Sequence, residues 1–373
     1  MRTSFKPHDV TLLLKDVTGL VKPLETAARE AAIQSGTHYS EMLPVEHRPT
    51  DEYLSVYSAA LARFAPLTAT AAASVTEQII ADKGRSAVLI SLARAGTPVG
   101  VLIKRFAKRA FDAELPHYSI SIIRGRGIDT NAMKYILERH EARHLQFVDG
   151  WTGKGAIQSE LERAMKDYPD VPCDLAVLSD PAFAAAKYGT RQDFLIPSSC
   201  LNSTVSGLIS RTVYRPDIIG AADFHGAMYY REFKDDDRTY EFIDTVERHF
   251  DLSNTDHRKP PVGFAESRTV NTLAATPGGL PASDDAKVGG YAETQRIAAD
   301  FGIKDINLVK PGIGETTRVL LRRLPWKILV HSLSDYEYLS QIYRLAKEKG
   351  VEILVYPLNC YKACGLIRTM TDL

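Results

Sequence analysis

Short apolar runs alternate along the chain with longer segments of helical periodicity. Residues 10–14, 87–92, 118–123, 145–148, 175–178 and 194–197 have the length and β-branched or apolar character of strands. Segments 23–34, 51–81, 99–109, 131–140 and 156–166 carry helical patterns. A strand feeding a helix, repeated this often, predicts an α/β fold with an open parallel sheet. Residues 251–290 concentrate proline, glycine and serine, the composition of a loop or linker, and place a domain boundary near 290. Beyond it the pattern changes. Helix 292–301, strand 305–309, basic helix 314–323, strand 327–331, helix 335–349, strand 352–357 and a terminal helix from about 359 predict a small αβα sandwich. The expected domains are 1–290 and 291–373.

Composition narrows the setting. At 373 residues there is ample chain for a large core. The 46 basic and 46 acidic residues cancel, so no global charge draws the chain to nucleic acid or membrane. No apolar run approaches the length of a membrane span, and the N-terminus lacks a signal-peptide pattern. The four cysteines, Cys173, Cys200, Cys360 and Cys364, are too sparse for a disulfide framework. A cytoplasmic location without a membrane partner is expected.

The candidate chemistry centres on the passage out of the run at 145–148. Asp149, Gly150, Trp151, Thr152, Gly153, Lys154 and Gly155 lead into the helix predicted from Ala156. A strand, a glycine-rich loop and a helix N-terminus make an anion site, because loop N–H groups and the helix dipole face the ligand. Asp149 stands beside it for a hydroxyl or a metal ion. The spacing fits neither a Walker A loop nor a dinucleotide fingerprint. About fifty residues earlier Ala93, Arg94, Ala95 and Gly96 follow another strand and precede Thr97, Pro98 and a helix. There a guanidinium and backbone donors suit a diphosphate. Arg124 and Arg126, after the run at 118–123, belong to the same sheet edge.

The Asp149–Gly155 stretch resembles the phosphoribosyl-diphosphate (PRPP) loop of type I phosphoribosyltransferases, with Gly150 replacing the second acid. The Ala93–Gly96 stretch resembles their diphosphate loop, with Ala95 for a glycine. The resemblance implies a phosphoribosyltransferase-like open sheet and an enzyme that forms or breaks an N-glycosidic bond on PRPP or a nucleotide. Residues Thr152–Gly155 would hold the 5-phosphate, Asp149 the ribose hydroxyls, and Arg94, with Arg124 and Arg126, the diphosphate bridged by Mg²⁺. Asp149 would touch that metal indirectly. A hood formed by His38, Tyr39, Ser40 and Glu41 would cover the substrate. A PRPP- or nucleotide-sensing RNA-binding protein without catalysis is the non-enzyme alternative. Asp235, Asp236 and Asp237 are a further place for Mg²⁺ or a solvated turn opening a helix at Thr239, and Glu266, Ser267 and Arg268 are candidates to cover the site.

A dense cluster of small polar residues, including Ser199, Cys200, Ser203 and Thr204, follows the run at 194–197. Together with the stretch from Ser35 to Pro44 and the two loops, it resembles the StiP family. That family is placed both among cysteine proteases and among phosphoribosyltransferase-like domains of tellurium- and stress-resistance operons. The resemblance implies ATP-grasp and HAD-type partners and nucleoside-like metabolite biosynthesis. In the protease alternative Cys200 is the nucleophile, with His225 or His38 as base.

The last eighty residues resemble the Pelota C-terminal domain and the ribosomal kink-turn-binding proteins. Gly312, Gly314, Glu315 and Arg318 stand in their G-x-N-E-x-x-K-x-L signature, with Gly314 in place of the Asn. The resemblance implies structured RNA as a partner, contacted by these residues and by Arg322.

Overall fold

The computed structural model describes residues 1–253 and 289–367. Its larger part is built on strands β1 (Thr11–Leu12), β2 (Lys15–Asp16), β3 (Val88–Leu92), β4 (His117–Ile120), β5 (Ile122–Ile123), β6 (Gly127–Ile128), β7 (Leu145–Trp151), β8 (Leu175–Ser179), β9 (Lys187–Thr190) and β10 (Gly226–Ala227). Six of them form one parallel sheet in the order β1-β4-β3-β7-β8-β9. Helices α1 (Thr26–Gln34), α2 (Asp51–Lys83), α3 (Gly96–Phe111), α4 (Thr130–Leu137), α5 (Ala156–Ala164) and α6 (Thr239–Glu247) accompany them.

Side-chain alternation along the strands decides which helices cover which face. Leu89, Val148, Ala176 and Leu178 point into one apolar layer with Phe64, Ala71, Phe106 and Phe242 from α2, α3 and α6. Ile90, Phe147 and Val177 point into the other, against Met133 and Ile136 of α4 and Leu161 of α5. Both faces being covered, β3 and β8 are buried throughout and read as continuous apolar runs. The long α2 begins at Thr50, whose hydroxyl accepts the Tyr53 N–H at 3.4 Å, and ends at Gly84 with φ +67°. It lies so close to β9 that a Cβ on Gly189 would overlap the backbone of Ala71.

The C-terminal domain holds α7 (Gly290–Asp300), β11 (Val309–Pro311), α8 (Ile313–Arg322), β12 (Pro325–Val330), α9 (Tyr336–Glu348), β13 (Glu352–Val355) and β14 (Ala363–Ile367), with sheet order β11-β14-β12-β13. The structure is thus an open parallel α/β sheet followed by a smaller sheet domain.

Three expectations are corrected. Strand β7 continues to Trp151, so Asp149 and Gly150 are strand residues rather than loop. The apolar run 194–197 is not a strand; it enters a 3₁₀ turn at Pro197–Cys200, and β9 takes the edge of the sheet beside β8 instead. The terminal helix is replaced by β14, buried between β11 and β12 and antiparallel to both. Gly365 disfavours helix there, and pairing on both sides supplies the backbone hydrogen bonds.

Candidate active site

Strands β4, β3, β7, β8 and β9 follow the 2-1-3-4-5 order, so the winding reverses between β3 and β7. Ligands of open α/β sheets bind beyond the strand carboxyl ends at that point. Both sequence-derived loops lie there. They touch at the backbone, since a Cβ on Gly96 would overlap the Val148 carbonyl.

The loop after β7 is already engaged. Thr152 donates its hydroxyl to Asp180 and its N–H to the Ser179 carbonyl at 3.0 Å. Asp180 also accepts the Ala184 and Ala185 N–H groups at 3.0 Å and is paired with Arg191. From the C-terminal domain Tyr361 donates to the Gly153 carbonyl at 2.6 Å, while Lys154 reaches the Ile306 carbonyl at 2.7 Å. Burial, with Lys310 and Arg124 nearby, draws the Lys154 ammonium down to about 8. Among the described residues Asp149 accepts only the Gly150 N–H, at 2.8 Å, and burial pushes its carboxyl up to about 7. Gly155, with φ +78°, starts α5. Among the described residues no group of three His, Cys, Asp or Glu side chains gathers for a metal ion.

The hood and the arginines do come together. His38 Nδ1 and the Ser40 hydroxyl lie 2.8 Å apart, the Tyr39 hydroxyl accepts the Arg124 N–H at 2.9 Å, and Glu41 pairs with Arg126. Arg124 also reaches Asn307 of the C-terminal domain at 3.2 Å. Arg94 Nη1 donates to the Ile209 carbonyl at 3.0 Å, and Ala95 next to it is exposed. Next to Arg126 a cavity of about 390 Å³ is lined by Tyr214, Asp129, Asn131 and His225. Of its charged lining residues, Arg126 pairs with Glu41 and Asp223 with Lys15 at 2.6 Å.

Cys200 closes the 3₁₀ turn and is fully buried. Burial pushes its thiol up to about 12, against the pull of Arg322 and Arg318. Neither proposed base is hydrogen-bonded to it. His38 turns to Ser40, and His225 Nδ1 faces the Ser121 hydroxyl at 2.9 Å. Ser203 donates both its N–H and hydroxyl to Glu46, at 3.1 and 2.9 Å, and the Thr204 carbonyl accepts the Arg238 N–H at 2.6 Å. Asp237 accepts the Thr239 N–H at 3.0 Å where α6 begins and Asp236 pairs with Arg48 at 3.2 Å, so this run opens a helix. Glu266, Ser267 and Arg268 lie outside the described residues.

The C-terminal signature faces inward. Asp193 takes the Ile313 N–H at 2.9 Å and the Lys362 N–H at 2.9 Å, capping α8 where Gly312, with φ +93°, admits the chain. Gly314 packs on Ser199 and Trp151, Glu315 pairs with Arg318 at 3.3 Å, and Arg322 donates to the Asn202 side chain and to the Cys200 carbonyl at 2.7 Å. Between the domains the crevice lined by Trp151, Thr152, Asp193, Ser199 and Gly314 narrows to about 10 Å³, room for one water. Sequence reasoning missed Asp193, Asp180, Tyr361 and Glu46, single residues in stretches without a recognisable motif. Each meets at least one partner more than 25 positions away.

A family model described as "Tellurite-like stress resistance cysteine protease StiP" matches residues 3–247, and one described as "PELOTA RNA binding domain" matches residues 288–369. The "Cysteine protease StiP" of Acinetobacter baylyi is 31% identical over 384 residues, covering 98% of this chain and 94% of that protein. The HGPRT-ase of Leishmania tarentolae in complex with GMP is a solved structure at 18% identity, covering 37% of this chain and 74% of that one. Its TM-score of 0.23 is too low to bear on fold or ligand. The protease names overturn the expectation of a PRPP-dependent phosphoribosyltransferase acting on an N-glycosidic bond. They side with the cysteine protease alternative.

Proposed function

Since the chain belongs to the StiP family and is an enzyme, we propose that it is a cytoplasmic cysteine protease whose nucleophile is Cys200. The name of the family supports the reaction class, and one observation supports the residue: two guanidiniums, Arg322 and Arg318, act on the Cys200 thiol, which directly follows Ser199 of the crevice lining. Cys173 precedes β8, at the opposite edge of the sheet, and Cys364 belongs to the apolar core of the C-terminal domain. Cys360 sits beside Glu293, which adds to burial in pushing its thiol up to about 12. All four cysteines are free, in keeping with a reducing compartment. No helix among the described residues is long and apolar enough to cross a membrane.

In this reading the thiolate attacks the peptide carbonyl, the amine leaves with a proton, and water hydrolyses the thioester. The closed crevice and the protonated thiol describe a resting enzyme. Withdrawal of α8, which carries Arg322, opens the path to Cys200. Cleavage of unfolded protein substrate, monitored by mass spectrometry, tests this. Cys200→Ala abolishes cleavage while Cys173→Ala and Cys360→Ala retain it; a fully active Cys200→Ala variant sinks the assignment.

The match of residues 288–369 supports a second reading, that the C-terminal domain binds structured RNA. With the first turn of α8 turned inward, exposed Arg323 and half-buried Lys327 are the nearer phosphate contacts. Binding should weaken steeply with salt; salt-independent or absent binding removes this reading.

A further inference from the structure

Arg94 and Arg322 donate to one backbone rail, residues 200–211, and Arg211 is its last residue. Arg322 donates to the Cys200 carbonyl at 2.7 Å and to the Asn202 side chain. Arg94 donates to the Ile209 carbonyl at 3.0 Å. Arg211 holds the Tyr39 and Met42 carbonyls at 2.6 and 2.9 Å, both through one terminal nitrogen. The rail folds on itself, with the Leu208 N–H on the Ser203 carbonyl at 2.9 Å. Each guanidinium has five donors, and among the described residues none of these three makes an ion pair. Their hydrogen-bond acceptors among these residues are neutral carbonyl and amide oxygens. The Arg211 Nε–H is buried with no acceptor.

Charge repeats the point. Burial draws both Arg211 and Arg322 down to about 10, and Arg94 adds to the repulsion felt by each. Glu46 is the carboxylate acting on Arg322, but one of its oxygens is taken by the Ser203 N–H and hydroxyl. Buried donors are ordinarily paired, and like charges are costly to bury together. Arg94, Arg211 and Arg322 are half-buried, so solvent still reaches part of the cluster. A forked guanidinium grips an oxyanion with two parallel bonds.

We infer that Arg94, Arg211 and Arg322 form an oxyanion subsite beside Cys200 that seats the carboxylate of an acidic residue in the peptide substrate. This rests on the protease reading. It makes the enzyme select Asp or Glu close to the scissile bond, because Cys200 and the subsite share one rail.

The full chain is incubated with a proteome-derived peptide library and the cleavage sites are read by mass spectrometry. Binding of Asp-containing peptides and their Asn counterparts to Cys200→Ala is measured by calorimetry, with inorganic phosphate as a third probe. Cleavage enriched at least tenfold for acidic residues at one position, weakened in Arg94→Met and partly restored in Arg94→Lys, supports the subsite. Tighter binding of Asp than Asn peptides without cleavage by the wild type supports the subsite and removes the protease. Cleavage indifferent to acidic residues overturns the subsite and leaves the protease. Binding of phosphate alone, with no preference between Asp and Asn peptides, overturns the peptide assignment.

Discussion

Asp193 is the residue on which the C-terminal domain is pinned, and replacing it with Ala measures that pin. Its carboxylate, 5% exposed, accepts N–H groups from both Ile313 and Lys362, so truncation leaves two buried donors unpaired. Each such donor costs about 1–3 kcal/mol. Loss of negative charge at the start of α8 adds about 0.3–1 kcal/mol. Against this, burial pushes the carboxyl up to about 6 from an ordinary value near 3.9, so removing it relieves about 3 kcal/mol. The net expectation for Asp193→Ala is a loss of about 2 kcal/mol. Asp193→Asn keeps an acceptor without a buried charge and should stay near wild type. The pH dependence separates them further. A carboxyl raised in the folded state means that the folded chain holds the extra proton between about 4 and 6. Stability from this group is therefore present below about 4 and falls as pH rises to about 6, a slope absent in Asp193→Asn. Denaturant midpoints at about pH 3.5 and 7 (assay conditions, roughly bracketing the window), with amide exchange at Ile313 and Thr316, provide the readout. An Asp193→Ala variant with unchanged midpoint and unchanged exchange in α8 would refute the reasoning.

Lys154 has the opposite sign. With its folded value near 8 and its unfolded value near 10.4, the unfolded chain holds more protons between them, so stability rises with pH across that window. Lys154→Met should flatten that slope in denaturation midpoints taken at alkaline pH. Tyr361→Phe removes the hydrogen bond to Gly153 and should cost about 1 kcal/mol, with faster amide exchange in residues 152–155. Gly189→Ala drives a methyl into the backbone of Ala71 and should cost about 1–3 kcal/mol, read as a lower Tm; an unchanged Tm would show that α2 yields.

The apolar runs at 87–92, 145–148 and 175–178 were legible as strands because both faces of the sheet are covered, leaving uninterrupted hydrophobic stretches. The two glycine loops were legible as neighbours at one sheet edge for the same reason: each follows such a run. Strand β14 was not, since its placement depends on pairing with β11 and β12 rather than on periodicity. The run 194–196 is as apolar as a strand yet buried as irregular chain, because Pro197 turns it into the crevice.

By itself the sequence determined the alternation of elements, the two-part division of composition, and the glycines that let helices and strands approach closely. The chemistry of the loops was decided only by the tertiary structure. Thr152 and Lys154 suit a phosphate in isolation, but Asp180 and the Ile306 carbonyl take their hydrogen bonds. Arg322 suits an RNA phosphate in isolation, but α8 turns it onto Cys200. A polar side chain's role depends on which partner reaches it first, and those partners are distant in the chain.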